Sequence, residues 1–191
     1  MWPWGHLAVG YLAYAFAVDR RLRRPPGAVA VVVVSAATQL PDVVDKTLAW
    51  NLGVLPHGRS LAHSVLIATV AIAVVGAYLR SRGHGELALA FGLGYYSHLV
   101  ADSYQAAVTG RWADLGFLAW PLVQSPESTG PDSVVARFAT LASELAAGDV
   151  SAFLAFEFAL VLLAVALWAS HGFPGLGVLR RVRPRRFWSS E

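Results

Sequence analysis

Long apolar stretches separated by short polar turns set the pattern of this chain. Five such stretches cover residues 5–18, 27–40, 61–79, 86–108 and 151–170. The last three hold 19, 23 and 20 residues, enough to cross a hydrocarbon core of about 30 Å at about 1.5 Å per residue. The first two hold 14 residues each. They would cross only by thinning the bilayer, by borrowing length from snorkelling arginines, or by staying partly embedded. Pro41 disfavours helix at Leu40, so the second stretch is expected to end there and turn the carboxylates of Asp42 and Asp45 into a shared polar site. The pattern predicts an all-α, polytopic membrane protein with about five transmembrane helices.

One longer polar connection, residues 109–150, contains Gly110, Pro121, Pro126, Gly130 and Pro131. Within it, "DSVVARFATLASELAAGD" places Val134, Val135, Phe138, Leu141, Ala142 and Leu145 at helical spacing. Asp132 or Ser133 would cap this helix and Gly148 would stop it. The expectation is an amphipathic helix lying on the extracytoplasmic surface. Residues 1–191 then form a single membrane domain. It comprises a four-helix core over 1–125, the amphipathic segment over 126–150, and a fifth helix with a basic tail over 151–191.

Composition agrees with the membrane reading. Only 14% of the residues are charged and the mean hydropathy is +0.52, whereas soluble domains carry about 25% charged residues. The absence of cysteine excludes disulfides and thiolate metal sites. A net charge of +3 and a pI near 9.6 would suit a nucleic-acid partner, but the placement of the charges argues otherwise. If the stretches alternate across the membrane, Arg20, Arg21, Arg23, Arg24, Arg80, Arg82, Arg180, Arg181, Arg183, Arg185 and Arg186 fall on one side. Lys46, Arg59, Arg111 and Arg137 fall on the other. The positive-inside rule then puts the carboxyl terminus in the cytoplasm and the amino terminus outside, in a multi-pass inner (plasma) membrane protein. The tail "RRVRPRRFW" reads as an anchor to anionic lipid, and no nucleic-acid partner is expected. "MWPWGH" lacks the basic region of a cleavable signal peptide.

With that topology, the unusual polar residues converge. His6 opens the first stretch, Asp42 and Asp45 follow the second in "LPDVVDK", and His63 opens the third in "HGRSLAHS". His98 and Asp102 in "GYYSHLVADS" lie near the outer end of the fourth, four residues apart and therefore on one helix face. Taken alone, that pair reads equally as a structural hydrogen bond. Four stretches carrying His or Asp at one depth and on one side read instead as a divalent-metal site, since ionisable groups are costly in a membrane. Imidazole and carboxylate donors without thiolates suit zinc first, then manganese or iron, as one ion or two. A metal with an open position lowers the pKa of water toward about 7, which suits hydrolysis.

His6, Asp42, His63, His98 and Asp102 are the candidate metal ligands, with Asp45 as a bridge or general base. Arg59 would clamp a phosphate or carboxylate, or else anchor at the interface. Glu157, an acid inside the fifth stretch, would act as general base, support a ligand, or snorkel. Ser60 and Ser64 would orient ligands, and His57 reads as a loop residue. His84 and His171 fall on the cytoplasmic side and are set aside.

The early His6 with "LPDVVDK", "RSLAHS", "GYYSHLVADS" and the following "WP" resembles the YdjM-like family of membrane-bound, metal-dependent hydrolases, over about residues 1–125. Arg59, His63 and Ser64 match that family's pattern before the third helix, while Gly58 and Ala62 replace its His and Thr. The resemblance implies an inner-membrane protein with hydrolase activity, in which His6, Asp42, His63, His98 and Asp102 are metal ligands or close to them. The His-x-x-x-Asp element is also similar to that of zinc-dependent phospholipase C and the P1-type nucleases, which implies phosphoester cleavage. The expected function is therefore hydrolysis of an ester or phosphoester in a lipid-like substrate at the outer membrane face, with membrane lipids as surroundings. The rival expectations are a metal-handling transporter and a structural membrane protein.

Overall fold

A computed structural model describes residues 1–123 and 133–181. Among these residues there are seven α-helices and no strand. They are α1 (Pro3–Leu22), α2 (Ala28–Lys46), α3 (Val65–Ser81), α4 (Gly85–Val108), α5 (Val134–Ala146), α6 (Ala152–Ser170) and the short α7 (Leu176–Arg181). A π-helical turn, Thr47–Asn51, extends α2, and a 3₁₀ segment, Trp112–Ala119, follows α4. Pro126, Gly130, Pro131 and Asp132, and the tail from residue 182 onward with Arg183, Arg185 and Arg186, lie outside the described residues.

α4 is the central helix and packs against α1, α2 and α3, while α6 lies along α1. Small residues allow the close approach of α2 and α4. A side chain at Gly94 would meet Val34 O at 2.7 Å and Ala37 Cβ at 2.9 Å, so only glycine fits. One core cluster joins Tyr14 and Val18 of α1 to Ala30 and Val34 of α2 and Ala90 of α4. A second joins Tyr11 and Ala15 to Val31 and to Ala164 of α6. At the end of the bundle remote from His98, Glu86 accepts from Tyr14 Oη at 2.8 Å and pairs with Arg24, which ties α1 to α4.

Apolar side chains also cover the outside of the bundle. Val70, Val74, Val100 and Leu162 are each more than 60% exposed, the arrangement expected where lipid rather than water is the solvent. By length and composition, two helices qualify by themselves as spans: α2 with its π-helical turn (Ala28–Asn51) and α6. α3 is apolar but shorter. The expected count of about five spans is therefore corrected to two clear candidates within a larger helical bundle. α1 and α4 carry polar side chains such as His6, His98 and Asp102, which point inward and lower the apolar character of their helices.

Two further expectations are corrected. The first and second stretches are not short: α1 has 20 residues and α2 has 19. α2 also does not stop before Pro41, which lies buried inside it. A proline removes one donor from the helical ladder, yet the helix continues because its last turn is held by other partners. Lys46 pairs with Asp42, Asp45 takes donors from the following loop, and Thr47 N–H reaches Val43 O and Val44 O.

The amphipathic segment does form a helix. Ser133 Oγ accepts from Ala136 N at 3.1 Å as its cap, and Gly148 follows its end at φ 72. α5 docks Phe138 on the stacked pair Trp2 and Trp4, with ring centroids 5.2 and 6.4 Å away.

Candidate metal centre

α2, the loop before α3, and α4 bring Asp42, His63, His98 and Asp102 together. One ligand atom from each lies within 4.8 Å of all the others, and all four side chains are buried. His98 and Asp102 share a face of α4 as their spacing requires. Asp42 comes from the last turn of α2. His63 comes from a loop, and its backbone is held by a neighbouring carboxylate.

That carboxylate is Asp45. Its Oδ2 accepts from Ser60 N at 2.7 Å, from His63 N at 3.2 Å and from His63 Nδ1 at 2.8 Å, while its Oδ1 accepts from Ala62 N at 2.8 Å. One carboxylate thus shapes the loop and orients the imidazole on it. On α4, His98 Nδ1 donates to Thr38 O at 2.6 Å, in the α2 turn that precedes Pro41. With both Nδ1 atoms donating, both Nε2 atoms carry a lone pair. These lone pairs face each other across 3.0 Å. Two acceptors cannot bond one another, so a proton or a metal ion must lie between them.

The surroundings also favour a positive charge at this point. His63 Nε2 is 3.5 Å from Asp42 Oδ1 and 3.5 Å from Asp102 Oδ2. Asp42 Oδ1 is buried without a hydrogen-bond partner among the described residues. Burial alone would push the His63 imidazole, in the loop outside α3, toward its neutral form. Asp102, Asp42 and Asp45 outweigh that and hold it protonated well above its usual range. The site that holds a proton in this way is suited to a divalent ion. Two imidazoles with their outer nitrogens engaged and two carboxylates form a common donor set for such an ion.

His6, also expected as a ligand, lies against the cluster. Its ring stacks on His98 at 3.9 Å between centroids, and its Nε2 is 3.2 Å from Asp102 Oδ1. Both of its ring nitrogens are buried without an aligned hydrogen bond, so it is placed to join or support the set. Arg59 Nε pairs with Asp102 Oδ2 at 3.0 Å, with its guanidinium over the Phe117 ring. Glu157 is fully buried but apart from the four donors. It accepts from Trp2 N at 3.1 Å and so fixes the start of α1, which carries His6. The Met1 amino group reaches Asp102 Oδ1 at 2.8 Å.

Ser60 and Ser64 have structural contacts: Ser60 Oγ bonds to His57, and Ser64 Oγ donates to Trp120 O at 2.6 Å. His57 thus stays in the loop. His171 bonds to Tyr11 Oη, and His84 precedes α4 at the remote end.

Sequence reasoning missed Lys46, whose ammonium pairs with Asp42 Oδ2 at 2.5 Å. The signal was present, since Asp42 and Lys46 are four apart in "DVVDK". It also missed the Thr38 carbonyl, which no sequence pattern marks.

An all-helical bundle with a buried His/Asp cluster of the kind that could hold a metal ion is thus the class of protein that fold and site define. The chain belongs to the YdjM inner membrane protein family, whose model matches residues 1–172. No curated protein and no solved structure matches the chain.

Replacing Asp45 by Asn should weaken metal binding roughly 10–100-fold, the usual cost of losing a partner that orients a ligand. Isothermal titration of the variant with Zn²⁺ would check this, and Glu157→Gln should have the smaller effect.

Proposed function

We propose that this protein is a membrane-bound, metal-dependent hydrolase that cleaves an ester or phosphoester of a lipid-like substrate at the outer face of the inner membrane. The observation that supports it most is the convergence of His63 Nε2, His98 Nε2, Asp42 and Asp102 within 4.8 Å of one another. A divalent ion held there would supply Lewis acidity suited to hydrolysis near neutral pH. Zinc suits this donor set best, with manganese and iron as the other choices.

The protein's own residues do the rest. Asp42, His63, His98 and Asp102 hold the ion, with His6 stacked beside them. Asp45 and the Thr38 carbonyl fix the two imidazoles with Nε2 inward. Arg59, on the more open side of the cluster, binds the anionic oxygen of the substrate and the charge that grows on it. Glu157 is a positioning residue that acts through the backbone of Trp2. The outer-face assignment follows from the arginine distribution of the chain.

The test is hydrolysis by purified protein in detergent, before and after chelation, on paired carboxyl-ester and phosphoester lipids. Turnover that is lost with the metal and restored by Zn²⁺ or Mn²⁺ is the expected result. Metal uptake into liposomes without any turnover would replace this reading by a transporter.

A further inference from the structure

The two carboxylates that offer oxygens to the cluster are each paired with a cationic side chain. Lys46 Nζ takes Asp42 Oδ2, leaving Asp42 Oδ1 turned toward His63 and His98. Arg59 Nε takes Asp102 Oδ2, the oxygen that also faces His63 and His98 at 3.5 and 3.9 Å. Both cations rest on aromatic rings: Lys46 is 5.7 Å from the Trp50 centroid, and Arg59 is 5.7 Å from that of Phe117. Such seats hold a cationic side chain in place when its carboxylate turns to another partner. The Arg59 side chain is 42% exposed and that of Lys46 is 19% exposed, so each keeps a path to an incoming ligand.

Charge counting sharpens the point. With His63 neutral, as it would be when holding a metal, Asp42, Asp45 and Asp102 carry one more negative charge than Lys46 and Arg59 offset. The Met1 ammonium and Glu157 add one charge of each sign. A single divalent ion therefore turns the excess into one positive charge. Its carboxylate ligands would then attract Lys46 and Arg59 less than before. A neutral carboxyl ester gives such a site nothing to pair with, whereas a phosphate group offers several charged oxygens.

We propose that Lys46 and Arg59 form a two-armed anion clamp over the metal cluster, so that the bond cleaved belongs to a phosphate ester. Lys46 is the arm that the sequence pattern did not mark. The proposal rests on the metal-hydrolase reading and narrows its substrate class.

The test separates the two. Full-length protein in a phosphate-free, non-phospholipid detergent is titrated first with Mn²⁺, followed by electron paramagnetic resonance. The Mn²⁺-loaded protein is then titrated with inorganic phosphate or with short-chain phosphatidic acid, followed by ³¹P paramagnetic relaxation. Lys46→Met and Arg59→Met should each keep Mn²⁺ binding and weaken phosphate binding about tenfold, the worth of one charged hydrogen bond. The double variant should lose more. Tighter binding of phosphatidic acid assigns the phosphate to a lipid headgroup. Tighter binding of inorganic phosphate assigns it to a soluble ester. Mn²⁺ binding with phosphate affinity unchanged in both variants overturns the clamp and leaves the metal reading standing. Failure to bind Mn²⁺ or Zn²⁺ at all overturns both.

Discussion

Replacing His63 and His98 together by alanine is expected to remove the metal from the purified protein altogether. The wild-type protein should retain about one equivalent or more after gel filtration, and the double variant only background, by elemental analysis. The expected loss exceeds the roughly 10–100-fold that follows from removing a residue bonded to a ligand, because two of the four converging donors go at once. The two Nε2 atoms stand 3.0 Å apart with both Nδ1 atoms already engaged. Either single alanine would leave one imidazole and two carboxylates, and should retain weak binding. The fold should survive the double change, since core clusters along the bundle contain neither histidine. A folded double variant with wild-type metal content would sink the assignment of the site.

The second large effect is steric. Gly94→Val should lower stability by about 1–3 kcal/mol, the usual range for overpacking an interior, and weaken metal binding along with it. The added side chain would drive Val34 O and Ala37 away, and backbone cannot rotate aside as a side chain can. One helical turn later, His98 Nδ1 bonds to Thr38 O across the same α2–α4 seam. Parting the helices at Gly94 therefore stretches the bond that aims His98. Thermal unfolding in detergent and a metal titration of the same sample would check both parts. Gly85→Ala is the control: nothing lies within 4 Å of its added carbon, so neither quantity should move.

Much of the site was legible before any coordinates, for an identifiable reason. His98 and Asp102 are four apart on one helix, so their meeting is a local fact that spacing reports. Asp42 and His63 were legible only through topology, because arginine placement put them at the same depth. Asp45 shows where such reasoning stops. Its use depends on the path of the loop from residue 52 to 64, whose amides turn back onto it, and no periodicity encodes that path. Pro41 misled for a related reason. Local preference ends a helix near a proline, but Asp42, Asp45 and Lys46 just beyond it are held by tertiary partners, and these prevail. Similarly, hydropathy marks α2 and α6 as spans more readily than α1 and α4, because the bundle turns polar groups of α1 and α4 inward.

The donors come from α2, from the loop before α3, and from α4, with His6 of α1 beside them. None of these segments holds enough ligands to bind an ion tightly alone. The four-donor set is incomplete until residue 102 has been made and α4 has packed against α2. A growing chain stalled earlier would offer only scattered histidines and aspartates to passing metal ions. Capture of an ion by all four donors would thereby wait for the completion of the bundle.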